Sequence, residues 1–590
     1  MSKFLFRFLI AAIGGMVIFV GGILLGKFSS INCHQALGAG FFTMIGLYCL
    51  LSPVIWLKIR HIFCELDWAE ECGRIYDRIP VVYRHSFWIL FGFINLAFLF
   101  HTINFMWGNE DWAAVRYAVN PEESLARGAF AAYWLQELLF EGKILPVINN
   151  LWAFAGLSLA GVLLAIYWRI PRQTWQVVLI GLIATVTPYA LAVLYSVKTS
   201  LGVLFLPAIV LMAVLLAERR GQNDFHTYFY NIISVFLFVW ALGVYMPVIN
   251  LIAIAFLGRI LLSVITDDMD IKAAAEQTKQ GIANFTAAVM IYWLILLLLR
   301  EIRILAPLYV DSFHVANPLW RLPQVLSYAF LQFVQPLPFM DIAYKICYTL
   351  FALFALFAFI FKAPSAKVAV RGLALLPLLL LASVWALAFA TLPETQLVQS
   401  GFLGMPFLFA LLFAMVLSVA HEESLLRRIV FVFSILLIFM NFIRIAYAEK
   451  VWKFGWDAET KLAERIITRL EKMPEFDINR QYKLLQIGEK SLRSKYYRRG
   501  PFEINNGELL GYAFYPAGKA KDAYNFFYQT DFLSDDVQDQ ALKIPEIRQY
   551  LLQTARAWPA PESLFIYGSY IVFVLDEVQL ALVQKKLDEY

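Results

Sequence analysis

Charge is what this chain has least of. Only 16% of its 590 residues are Asp, Glu, Lys or Arg, against about a quarter in soluble domains, and the net charge is a modest +5. Cysteine is scarce as well. The five present, Cys33, Cys49, Cys64, Cys72 and Cys347, form no CxxC pair and no zinc-ligand spacing with histidine, so neither a disulfide framework nor a structural metal is expected. No basic run with interleaved aromatics occurs, which speaks against nucleic acid as a partner. No segment repeats, and none is of low complexity. The opening stretch, MSKFLFRFLIAAIGGMVIFVGGILLGKF, has the basic end and apolar middle of a signal sequence. Its core is too long and it lacks an A-x-A cleavage site, so it is expected to remain as a first span.

What the chain does have is apolar surface: 61% of its residues are hydrophobic and the mean hydropathy is +0.65. That composition belongs to a multi-spanning membrane protein, and abundant Phe, Tyr and Trp suit lipid-facing surfaces and interfacial belts. A hydrocarbon core of about 30 Å takes roughly 20 apolar residues per helix. On that measure about thirteen transmembrane spans are predicted, near 4–26, 38–57, 87–106, 147–167, 175–196, 200–217, 228–245, 247–265, 285–303, 342–361, 371–392, 402–420 and 427–446.

Orientation follows from the basic residues of the short loops. With the N-terminus in the cytoplasm, Lys58 and Arg60, Arg169 and Arg172, Arg219 and Arg220, Lys362, Lys367 and Arg371, and Arg427 and Arg428 all fall inside. The loops 107–146, 304–341 and 393–401 are then extracytoplasmic, together with everything after about residue 447. The fold class expected is therefore a polytopic α-helical membrane domain over 1–447 and a small α/β extracytoplasmic domain over 448–590. In the tail, WDAETKLAERIITRLEKMPEF keeps Leu462, Ile466, Ile467 and Leu470 at helical spacing before Pro474. YKLLQIG and SLFIYGSYIVFVLD read as strands.

The loop 107–146 holds the most pointed chemistry. Glu110 and Asp111 adjoin at the mouth of a span, with Arg116 and Arg127 downstream. A loop this long is uncommon between membrane helices unless it has a function or is disordered, and its aromatic content argues against disorder. A carboxylate where lipid and protein exclude water can act as a general base, although solvated acids at a helix end give the same look. Lys198, in the outer turn YSVKTS, reads first as an interfacial snorkelling residue and second as a phosphate ligand. Arg321, between Trp320 and Leu322 in the loop 304–341, is a further phosphate candidate, while His314 reads as a surface residue. The acidic stretches ELDWAEECGRIYDRIP and TDDMDIK fall inside and read as cytoplasmic helix.

Several stretches together resemble a known family. NEDWAAVR, the segment ARGAFAAYWLQELLFEGKILP with Arg127, the run MNFIRIAYAEKVWKFGWDAETKLAERIITRLEKMPEF followed by LLQIG, and IPEIRQYLLQTARAWPAPESLFIYGSYIVFVLD are similar to the Gtr-type bacterial glucosyltransferases of the GT-C architecture. The resemblance is stronger at the two ends than in the middle spans. Departures are Tyr245 followed by Met246, the stretch SGFLGMPF without a basic residue, and Glu-Asp as the acidic pair.

The resemblance implies an inner-membrane hexosyltransferase with its active face and C-terminal domain in the periplasm. Its donor would be polyprenyl-phosphate glucose, since nucleotide sugars are absent there, and its acceptor a surface polysaccharide such as O-antigen or another lipid-linked glycan. Glu110 or Asp111 would serve as base, with Arg116, Arg127, Lys198 and Arg321 as donor-phosphate ligands. A divalent cation, Mg or Mn, would be held by Glu110 or Asp111 if one is used. A carrier-charging glycosyltransferase and a flippase are the implied partners. The alternatives from the residues are a polysaccharide polymerase or ligase, and a lipid or sugar transporter; scarce charge in the spans weighs against the transporter.

Overall fold

The structure is a computed structural model that describes residues 76–104, 128–132, 143, 145–171, 173–194, 197–219, 224–301, 323, 326–327, 342–385, 404–420, 424–488, 524–525, 528, 530, 532–533 and 541–588. The chain divides into one compact unit ending at Val81 and a second from Val82 to Tyr590. The helices begin with α1 (Val81–Ala97), all but its first residue in the second unit, and α2 (Leu99–Asn104), then α3 (Pro146–Tyr167), α4 (Thr174–Thr185), α5 (Pro188–Leu194) and α6 (Val197–Glu218). They continue with α7 (Asp224–Val244), α8 (Ile249–Thr266), α9 (Ile271–Glu301), α10 (Ile342–Lys362), α11 (Ala366–Ala382), α12 (Gly404–Val419) and α13 (Leu425–Leu470).

Among the described residues 6 helices are long and apolar enough to cross a bilayer: Val147–Tyr167, His226–Val244, Met246–Thr266, Ile271–Leu299, Tyr344–Lys362 and Leu425–Lys450. The chain is thus a multi-pass α-helical membrane protein, and the expectation of about thirteen spans is corrected to these. The reasons differ by segment. The expected spans 4–26 and 38–57 lie outside the described residues. The span 87–106 is divided between α1 and α2, and 371–392 shifts to α11. The expected spans 200–217 and 402–420 fall in α6 and α12, in which Gly202–Glu218 and Gly404–Val419 are apolar.

The expected span 175–196 breaks for a local reason. Pro188 has no N–H to donate and disfavours helical geometry at the residue before it, so α4 stops at Thr185 and α5 begins at the proline. Inside a bilayer the freed carbonyl needs a partner. Asn441 of α13 supplies it: its Nδ2 donates to the Val186 carbonyl at 2.7 Å, and its Oδ1 accepts from the Tyr348 hydroxyl at 2.9 Å.

Contacts sort the helix ends into two groups. At one, Arg371 of α11 pairs with Asp270, between α8 and α9, at 2.5 Å, and Arg427 of α13 donates to Gln173 before α4 at 3.1 Å. At the other, Asn150 of α3 donates weakly to Thr102 of α2 at 3.5 Å. There too the first residue of α12, Gly404, sits against Ser383, after α11, and against Asn250 of α8. Arg169 and Asp268, in loops, and Arg371, near the start of α11, therefore lie at the end opposite to Thr102 and Asn150.

Small residues let the helices approach. A Cβ on Gly161 of α3 would lie 2.8 Å from the Cα of Gly181 on α4, a backbone contact that no side-chain rotation relieves. Gly161→Ala is therefore expected to cost about 1–3 kcal/mol. Thermal melting in detergent would check it; an unchanged midpoint would mean that the two helices separate freely.

The tail folds around a four-stranded sheet of β1 (Tyr482–Ile487), β2 (Phe532–Leu533), β3 (Leu564–Tyr567) and β4 (Tyr570–Val574), in the order β2-β1-β4-β3. β1 runs parallel to β2 and β4, and β3 and β4 form an antiparallel hairpin. Alternation sends Tyr482, Leu484, Ile571 and Phe573 to one face, where they pack on Leu462, Ile466, Ile467 and Leu470 of α13. Leu485, Ile487, Val572 and Val574 face the other way, onto α14 (Pro545–Gln553) and α15 (Glu577–Asp588). The predicted α/β character and its strands are present. The boundary expected at 447/448 falls inside α13, a single helix of 46 residues, about 69 Å at 1.5 Å per residue.

Tyrosines in this domain make it sensitive to alkali. Burial raises the Tyr528 hydroxyl to about 12 and raises that of Tyr524 as well. The unfolded chain would lose these protons first, near the ordinary value of about 10. Their contribution to stability is thus complete below about pH 10 and lost as pH rises through about 12. Tyrosinate absorbance and far-UV circular dichroism should therefore change together in alkali; a full tyrosinate signal from a still folded domain would contradict this.

Candidate functional site

Glu110, Asp111, Arg116, Arg127 and Arg321 lie outside the described residues. Lys198 is the second residue of α6, so the expected outer turn is already the first turn of a helix. What the structure does describe is where the loop 107–146 begins and ends, and what lies beneath it.

The loop leaves from α2 and returns at α3. Thr102 and Asn150, from the two roots, meet directly. Between them the short stretch 128–132 packs back onto the bundle: Gly128 takes a positive φ of 72°, the left-handed region open to glycine. Two residues later, the Phe130 ring lies against Tyr292 of α9, with centroids 6.0 Å apart, and over Gly243 of α7, where a Cβ would come within 2.5 Å of it. Arg127 immediately precedes this anchored stretch. The loop is thus tied down at both roots and next to the position predicted to hold phosphate.

Below the roots lies a polar cluster. His101 of α2, 3% exposed, stacks on Trp452 of α13 with ring centroids 5.1 Å apart and planes 19° from parallel. Glu449, one helical turn before Trp452, is 1% exposed. Its carboxylate lies against the main chain of His101, and among the described residues neither oxygen has a well-formed hydrogen bond. Asn149 and Asn150 are buried too, and among the described residues neither side-chain oxygen has a partner. Several unmatched buried acceptors beside one another are costly in a structure, and such orphans mark places where a ligand, water or proton completes the set.

Sequence reasoning did not single out His101, Asn149, Asn150 or Glu449. A signal was available: ionisable residues at or within apolar spans are functional candidates by default, and LFHTIN carries His101 while AYAEKVW carries Glu449 and Lys450. Nor are the spans as free of charge as expected. Arg259 and Lys345 are buried inside candidate spans, and Arg259 shares the opposite end of the bundle with Tyr167, Glu218 and Arg169. Among the described residues no group of three or more His, Cys, Asp or Glu is placed to hold a metal ion.

No known protein family, curated protein or solved structure matches this chain. The site therefore has to be read from its own residues. Its ingredients are an acid-bearing loop, roots joined to each other, a buried carboxylate beneath them, and the helix that carries the α/β domain.

Proposed function

We propose that this protein is a glycosyltransferase of the bacterial inner membrane that moves a hexose, glucose by its resemblance, from a polyprenyl-phosphate donor to a surface polysaccharide or lipid-linked glycan. The observation that supports the reading most is that the first root of the loop 107–146, α2, lies against Glu449 and Trp452 through His101 and meets the second root through Thr102 and Asn150, near the point where α13 leaves the bundle for the tail domain. A loop that carries an acidic pair and whose two roots meet, in a chain that also has a soluble domain, suits an enzyme that meets one substrate in the membrane and the other in water.

In this reading the basic-rich helix end is cytoplasmic and the loop faces the periplasm. Glu110 or Asp111 takes the proton of the incoming hydroxyl, which attacks the anomeric carbon in line with the departing phosphate. Arg116 and Arg127 balance the growing phosphate charge, and a fixed cation does so better where water is partly excluded. Lys198 is a third ligand, helped by its place in a first helical turn, where the helix dipole also favours an anion. Arg321 is the fourth. Acidic oxygens suit a hard divalent cation, so Glu110 or Asp111 would hold one if the reaction uses it; no step described here runs through a metal.

Mass analysis of surface polysaccharide from cells with and without the protein tests the reading directly. A hexose present only with the protein is expected, and identical glycans would overturn it. A transporter is the second reading, favoured by the buried Arg259 because charged groups inside spans often line transport paths. Abolished hexose addition by amide variants of the acidic pair, with Arg259→Gln still active, would decide for the enzyme.

A further inference from the structure

In the tail domain a shallow cleft of about 570 Å³ opens between α14 and the edge strand β3. Its walls alternate two chemistries. On the helix side stand Glu546, Gln549 and Gln553, one turn apart and exposed, and Glu562 closes the far side. From the helix across to the strand runs a series of near-parallel rings. The buried Tyr550 stacks on Phe565 at 4.3 Å, and Phe565 is aligned with Tyr567 at 6.4 Å with planes 15° apart. Tyr567, 37% exposed, flanks the mouth, where its hydroxyl donates to the Glu546 carboxylate. The Tyr550 hydroxyl donates to the Glu562 main chain, which fixes the innermost ring.

We propose that this cleft is a saccharide-binding site, which takes a short stretch of neutral glycan chain. The inference builds on the transferase reading only in that the occupant would be the acceptor chain. Its own grounds are the side chains. Among the described residues no lysine or arginine lines the cleft, and these residues offer a phosphate or other anion no counter-charge. Carboxylates and amides accept and donate hydrogen bonds in the mixed pattern that ring hydroxyls need. An exposed aromatic face offers the apolar side of a pyranose a flat, rigid surface. A shallow open cleft also admits the middle of a chain as readily as its end.

The test is binding by the full-length protein in nanodiscs, read by isothermal titration and saturation-transfer NMR. The probes are neutral hexasaccharides of glucan, mannan, galactan and rhamnan type, with inorganic phosphate as an anionic control. At least one neutral probe is expected to bind at millimolar concentration or below, and Gln549→Ala with Tyr567→Ala to weaken it at least tenfold. Both replaced side chains are exposed, so the variant should fold; melting and circular dichroism check that. The proposal is overturned if no neutral probe binds, if phosphate binds better than all of them, or if the folded double variant binds as well as the parent. Binding is read without turnover. The protein with Glu110→Gln and Asp111→Asn should therefore bind as the parent does, and loss of the transferase reading would leave a positive result here intact.

Discussion

Exchange of Glu110 for Gln, or of Asp111 for Asn, is expected to lower sugar transfer by about 10²–10⁴-fold at whichever residue is the base, equivalent to about 3–5 kcal/mol of barrier. The amide keeps the shape of the side chain and removes its basicity. Protein level and membrane insertion should not change, because a replacement at a loop position leaves the spans as apolar as before. The partner acid, if it orients the sugar hydroxyls, should show a smaller loss that falls mainly on KM. Arg116→Ala and Arg127→Ala should each cost about 10²–10³-fold, the usual toll for removing a group that stabilises developing charge. Measured transfer in membranes that contain equal amounts of each variant separates these cases. Full activity in both amide variants would remove the pair from the chemistry.

A second large effect is expected beneath the loop. Trp452 is fully buried and stacks on His101, so Trp452→Ala would leave a void where α13 passes α2. Aromatic-to-alanine changes in cores cost about 3–5 kcal/mol, a large part of the stability of most proteins. The variant should melt at markedly lower temperature and accumulate poorly. Glu449→Gln separates stability from function at the same place. A carboxylate this buried, with no cation described beside it, gains little from ionisation, so the amide should be tolerated and melting should stay within about 1 kcal/mol of the parent. Transfer should fall about tenfold, some 1.4 kcal/mol, if the carboxylate helps to set the loop roots. Unchanged transfer by a well-folded Glu449→Gln protein would reduce Glu449 to a tolerated core residue.

How much of this could be read without coordinates depends on the kind of signal each feature leaves. Spans were legible where apolar residues run unbroken: 147–167 and 342–361 correspond to Pro146–Tyr167 and Ile342–Lys362, since transfer from water to hydrocarbon depends on composition over a window. The hairpin of β3 and β4 was legible because strand period and turn chemistry coincide at Tyr567, Gly568 and Tyr570. The break at Pro188 was visible as a residue but not as a structural event. Whether a proline ends a membrane helix depends on a partner for the freed carbonyl, and that partner, Asn441, is 255 positions away in the chain. The continuity of α13 across the expected domain boundary was hidden for a similar reason: hydropathy changes where the helix leaves the bundle, while the backbone pattern does not.

The candidate site divides along the same line. Glu110, Asp111, Arg116 and Arg127 stand out because charges are conspicuous in an apolar chain. His101, Asn149 and Glu449 did not, since they lie far apart in the sequence and only their assembly makes them a cluster.

By itself, then, the sequence determined that this protein crosses a membrane many times and ends in a small α/β domain, because burial in lipid and alternation in a sheet are properties of local composition and period. Tertiary structure alone decided which helix ends meet, which carbonyl Asn441 satisfies, and that a buried acid lies under the roots of the charged loop. Those are long-range pairings, and the free energy that selects them belongs to contacts between distant residues.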